Sequence, residues 1–162
     1  MNREKTTAER GKYKEIISKA LYMSDDIKDL LLGDVSEKSA SETQKLFKEC
    51  VKSHLFIDDT IEETKSFIFY DVTMPFMRSN VKDASIVMYA ICHRDILDDY
   101  SKDGYFGNRA DILSQMIEDC LINDKKIVNK FGIGELTLSS IEIYNSMRFY
   151  GCAMRFNIPN FR

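Results

Sequence analysis

The chain has 162 residues, 44% of them hydrophobic and 30% charged, with a formal net charge of −3. That length suits one domain with its own core, and the apolar share excludes a disordered tail, a collagen-like rod and a Pro-rich linker. The slightly acidic balance offers no general attraction to phosphate backbones, which argues against sequence-independent nucleic-acid binding. No run approaches the roughly 18 consecutive apolar residues of a membrane span. The stretch from Met1 to Thr7 is polar, unlike a secretory signal. The cysteines at 50, 92, 120 and 152 lie far apart with no C-x-x-C spacing, so they read as reduced, partly buried thiols.

Residues 8–32 predict one helix. Ile16, Ile17, Ala20, Leu21, Met23, Ile27, Leu30 and Leu31 recur at three- and four-residue steps, and Gly33 supplies a C-terminal stop. Residues 34–40 are polar and aperiodic, a loop. A short second helix is expected from Ser41, whose capping-box spacing to Gln44 precedes Leu46, Phe47, Cys50 and Val51. From Glu62 the period changes. Residues 64–74 are rich in aromatic and β-branched side chains and predict a strand ended by Pro75. Residues 76–82 connect it to a second strand over 83–93. There the apolar run from Ile86 to Cys92 serves both faces, which predicts a central place in the sheet. The connection is too short for a crossover, so the two strands form an antiparallel hairpin.

A long polar connection over 94–107 follows. Asn108 is the expected cap of a helix reaching Ile122, with Asp111 in its first turn and Ile112, Leu113, Met116, Ile117, Cys120 and Leu121 as its stripe. After 123–130 the period returns to two. Strands over 133–143 and 149–158 flank a turn at 145–148, a second hairpin. The order predicts an α+β fold: a mostly antiparallel sheet of about four strands in two hairpins, with helices on one face. The chain reads as a single domain, with a helical N-terminal part over 1–54 and an α+β core over 55–162.

Little in this pattern carries catalysis. His93 and Asp95 share a face if the strand continues, as a base and its orienter would, but no nucleophile signature accompanies them. Neither His93 nor His54 has metal-ligand spacing to a partner. The acidic run Asp95, Asp98, Asp99 and Asp103 lacks the central Gly and closing Glu of a calcium loop, so it reads as a solvated connection or a surface for a basic partner. Gly132 and Gly134 precede a strand and open no helix, which fits a strand start and not a phosphate turn. The expectation is therefore no catalytic residue, no metal and no cofactor.

Charge placement says more. Residues 94–119 carry seven acids against Arg94, Lys102 and Arg109, whereas residues 144–162 carry Arg148, Arg155 and Arg162 and no acid. Separate patches suit head-to-tail contacts, the bland alternative being solvated faces. Aromatic and Met residues in connections are candidate interface anchors, or they tuck back onto the core. The candidate partner-binding set is Phe76, Met77, Arg78, Asp98, Asp99, Tyr100, Asp103, Tyr105, Phe106, Arg148, Arg155 and Arg162.

Five stretches carry a resemblance to a known family: residues 57–68, 86–95 with Ile91-Cys92-His93-Arg94-Asp95, 108–113, 131–136, and the ending Phe149-Tyr150-Gly151-Cys152-Ala153-Met154-Arg155-Phe156. In motif order and local wording, residues 55–162 resemble a bacteriophage neck or tail-completion protein of the tail-terminator type. The resemblance implies a sheet packed with helices and assembly as a hexameric ring that caps the tail tube and joins it to the head connector. It implies no enzymatic activity and no cofactor. The partners it implies are further copies of the chain, a neighbouring neck or connector protein and the tail tube protein. Membrane and specific nucleic acid are not among them. The implied location is the virion neck, after synthesis in the host cytoplasm. Loops and sheet edges do the binding in such proteins, here residues 76–82, 94–107 and 160–162. The helical N-terminal part is longer than the minimal pattern, which leaves a related neck component open. The rival expectations are a small non-virion protein-binding regulator and an enzyme using His93 and Asp95.

Overall fold

The computed structural model describes residues 6–58, 60–77, 82–124 and 136–161. The expected helix over 8–32 is two helices, α1 (Thr6–Met23) and α2 (Asp25–Leu32). Ser24 makes the break. Its backbone is extended, its side chain accepts the Ile27 N–H, and Asp25 and Asp26 stand in the next first turn, so the chain starts a new helix there. Gly33 ends α2 as expected, in a conformation with φ of 71°. The third helix, α3 (Ala40–Cys50), is capped by Ser39 and not Ser41. The Ser39 hydroxyl accepts the Glu42 N–H at 3.1 Å.

The sheet has five strands, one more than expected: β1 (Val51–Lys52), β2 (Ser66–Met77), β3 (Lys82–His93), β4 (Thr137–Asn145) and β5 (Phe149–Phe161), in the order β1-β2-β3-β5-β4. β1 follows α3 directly and pairs parallel with β2; all other pairs are antiparallel. Two residues carry no periodicity, which is why pattern reading passes over β1. β3 is central, as its two apolar faces predict. β2 does not stop at Pro75. The register slips between Thr73 and Phe76, and this irregularity accommodates a residue that has no N–H to give the ladder. The fourth helix, α4 (Arg109–Glu118), has the expected Asn108 cap, completed as a capping box by Asp111. It continues through one wider π-type turn, Asp119–Asn123. Residues 125–135, including Gly132, Gly134 and the expected strand start at 133, lie outside the described residues.

Alternation along the strands sorts the side chains. Ile68, Tyr70, Val72, Ile86, Met88, Ala90, Met154, Phe156 and Ile158 face the helices and share one core with Ile17, Leu21, Ile27, Leu30, Leu113 and Ile117. Each such aliphatic side chain contributes roughly 1.5–3 kcal/mol on burial. On the opposite face Phe67, Phe69, Ile91 and Phe149 form a smaller cluster, covered by Ile57 and Ile61 from the segment after β1. The central strand is thus buried on both sides, and the helices form a single layer over one.

Candidate functional site

The acidic connection between β3 and α4 is docked on α2. The Tyr100 hydroxyl donates to Asp29 at 2.8 Å and the Tyr105 hydroxyl to Asp26 at 2.9 Å. Lys102 Nζ lies 2.9 Å from Asp26 and 3.7 Å from Asp29. Arg109 closes the clasp from α4, donating to the Leu30 carbonyl at 2.8 Å and to Ser66 Oγ at 3.0 Å, with its guanidinium over the Tyr100 ring. Burial, then the bond to Asp26, pushes the Tyr105 hydroxyl up to about 12, and Tyr100 is raised for the same kinds of reason. The Lys102 hydrogen bond, opposed by burial and helped by Tyr105, holds the Asp26 carboxyl below the usual carboxylate range.

Two of the three candidate loop aromatics therefore face inward. Phe106 does not. It is 78% exposed, while its backbone is fixed by Gln115, which accepts its N–H at 3.0 Å and donates to its carbonyl at 2.6 Å. Gly104 and Gly107, at φ of 89° and 99°, make the turns that present it. Asp98, Asp99 and Asp103 of the same connection are exposed and form no ion pair among the described residues.

The arginine candidates are elsewhere and are not brought together. Arg148 donates to the Ile61 carbonyl at 3.2 Å and lies near Glu62, tying the cover segment to the β4–β5 turn. Arg155 stands on the sheet face away from the helices and donates to Ser85 Oγ at 3.2 Å. Phe76 and Met77 end β2, their side chains outside the described residues; Arg78 and Arg162 lie outside them altogether.

His93 and Asp95 are neighbours for a reason other than strand alternation. β3 ends at His93, a 3-10 turn over Arg94–Ile96 begins, and His93 Nδ1 accepts the Asp95 N–H at 3.1 Å as its cap. The imidazole also packs edge-on to Phe149. His54 is exposed beside Phe69. Burial pushes the Cys92 thiol up to about 11 and Cys120 to about 12, the direction opposite to nucleophile activation. Among the described residues, no group of three or more His, Cys, Asp or Glu side chains is placed to hold a metal ion.

Two surfaces were not singled out from sequence. The first is a groove of about 500 Å³ between α1 and α3. Tyr70 forms its floor, donating to the Lys14 carbonyl at 3.0 Å and hydrogen-bonded to Ser18 Oγ. Tyr22 and Phe47 pack edge to face, centroids 5.1 Å apart, to make its apolar wall. Lys14 is engaged by Asp71 and the Ser53 carbonyl, whereas Lys19 and Lys48 are exposed and form no ion pair among the described residues. Glu15 is the acid among the lining residues. The α1 contribution is legible as residues 14, 18 and 22, an i, i+4, i+8 row; the approach of α3 is not. The second surface is the outer edge of β4, where Ile141 and Ile143 are 58% and 76% exposed and Met147 in the following turn 93%.

These features define an α+β protein that exposes a fixed aromatic, an apolar strand edge and a lysine-rimmed groove. Residues 15–158 match the YomW family, and the chain belongs to it; YomW is a protein of a Bacillus phage region. No curated protein and no solved structure matches the chain.

Proposed function

We propose that the protein is a structural virion component, a ring-forming subunit of the phage neck that caps the tail tube and joins it to the head connector. The observation that carries this reading is the outer edge of β4, which pairs with β5 alone among the described residues. A free edge strand exposes unpaired N–H and C=O groups and invites another chain, and soluble proteins commonly blunt such edges with Lys, Pro or covering segments. β4 has a bulge at Ser139, but from Ser140 to Asn145 it carries Ile141, Ile143 and a single charge, Glu142. Apolar side chains exposed along an edge suit strand addition by a neighbour. A family whose namesake comes from a phage region, together with the motif order of residues 55–162, supports reading that edge as a contact within a virion.

The test is assembly. Purified protein should be examined by mass photometry and electron microscopy, alone and with isolated tail tubes. Closed rings, or density capping the tube, are the expected result. Protein that stays monomeric and never associates with tube or connector overturns the reading, and abundance in infected cells without incorporation into particles would favour a protein-binding regulator.

A further inference from the structure

We propose that the Phe106 loop of one copy docks in the α1–α3 groove of a second copy, with Phe106 against Tyr22 and Phe47 and the loop carboxylates facing Lys19 and Lys48. This rests on the ring reading above and names its subunit contact. Three observations carry it.

The first is the state of the loop. The clasp of Tyr100, Tyr105 and Lys102 on Asp26 and Asp29, with Gln115 on the Phe106 backbone, holds the segment in one conformation. Phe106 is nevertheless left 78% exposed. A pre-ordered loop with an exposed aromatic loses little entropy on docking, and buried aromatics anchor interfaces.

The second is the groove. Its volume of about 500 Å³ lies in the roughly 300–1,000 Å³ range of binding clefts. Its wall is aromatic, which suits edge-to-face packing of another ring. The third is charge. Asp98, Asp99 and Asp103 lie in the same connection as Phe106, Lys19 and Lys48 line the groove, and all five are exposed without an ion pair among the described residues. Such patches steer an encounter and fix its register.

The loop is fastened to α2 and α4, whereas the groove is formed by α1 and α3. The contact therefore joins two different surfaces, and repetition of a heterologous contact generates a ring when the rotation closes.

The experiment uses the full chain and two variants. Phe106→Asp breaks the knob; Lys19→Glu with Lys48→Glu reverses the groove. All three positions are exposed, so melting temperatures should match the parent. Each variant alone is expected to self-associate roughly tenfold or more weakly than the parent by sedimentation velocity. Mixed, they are expected to form 1:1 dimers and nothing larger, because the pair retains one intact knob and one intact groove. Parental assembly by Phe106→Asp overturns the proposal and leaves the ring reading standing. Loss of assembly in the groove variant but not in Phe106→Asp also overturns it, since the groove then serves another occupant. A parent that stays monomeric and is missing from purified particles overturns both readings.

Discussion

Gly151 is the position where one added methyl group should do the most damage. It lies in β5 opposite Ile91 of the central strand. A Cβ built there would sit 2.8 Å from Ile91 Cα and 2.9 Å from the Ala90 carbonyl carbon, with the Ala90 oxygen closer still. Every one of these is backbone, so no side chain can swing away. The β3–β5 ladder has to open locally. Overpacking of this kind costs about 1–3 kcal/mol, and each ladder hydrogen bond lost adds about 0.5–1.5 kcal/mol. Against this, Ala in a strand interior is better than Gly by roughly 0.5–1 kcal/mol. With one or two ladder bonds lost, Gly151→Ala should destabilise by about 0.5–5.5 kcal/mol. At about 2–4 °C per kcal/mol for a chain of this size, the melting temperature should fall by about 1–22 °C. Urea denaturation followed by circular dichroism measures this. The sign decides the matter: a variant more stable than the parent would mean that propensity dominates and that the close β3–β5 approach does not hold.

Other consequences follow from the clasp, the cap and the thiols. Because the folded Asp26 carboxyl titrates below its ordinary 3.8, its contribution is complete above that pH and is lost as pH falls through the folded value. The stability gap between the parent and Asp26→Asn, measured by urea denaturation, should therefore be widest near neutral pH and narrow below 3.8. Asn108→Ala removes the side chain that accepts the Asp111 N–H at 3.0 Å, and a thermal melt should register a loss of about 1 kcal/mol. With Cys92 raised to about 11 and Cys120 to about 12, a thiol reagent at about pH 8 should label the native protein slowly and all four cysteines at once in denaturant. Fast native labelling of Cys92 or Cys120 would contradict their burial.

Where the sequence could be read, the reason was periodicity sustained over many residues. The run Ile86–Cys92 placed β3 at the sheet centre because only a strand covered on both faces tolerates apolar side chains at every step. Asn108 with Asp111 marked the start of α4 through hydrogen-bond chemistry local to four residues. Ser24 is also a capping residue, followed by Asp25 and Asp26 but with Ile27 where a capping box needs an acid or amide, and the apolar stripe continues across it. Pro75 misled in the opposite direction, since a bulge lets a strand pass a proline. The site was less legible. Whether Tyr100 and Tyr105 point in or out depends on Asp29 and Asp26, more than seventy residues earlier. The groove needs α3 beside α1, a tertiary fact that no spacing within either helix encodes.

The central claim, that this is a virion neck subunit, meets its most direct measurement in the protein content of purified particles. Quantitative mass spectrometry of phage from a strain carrying this gene, calibrated against the capsid protein, should find the chain at a small, fixed copy number per particle. Its absence from infectious particles, in cells where it is abundant, would contradict the account.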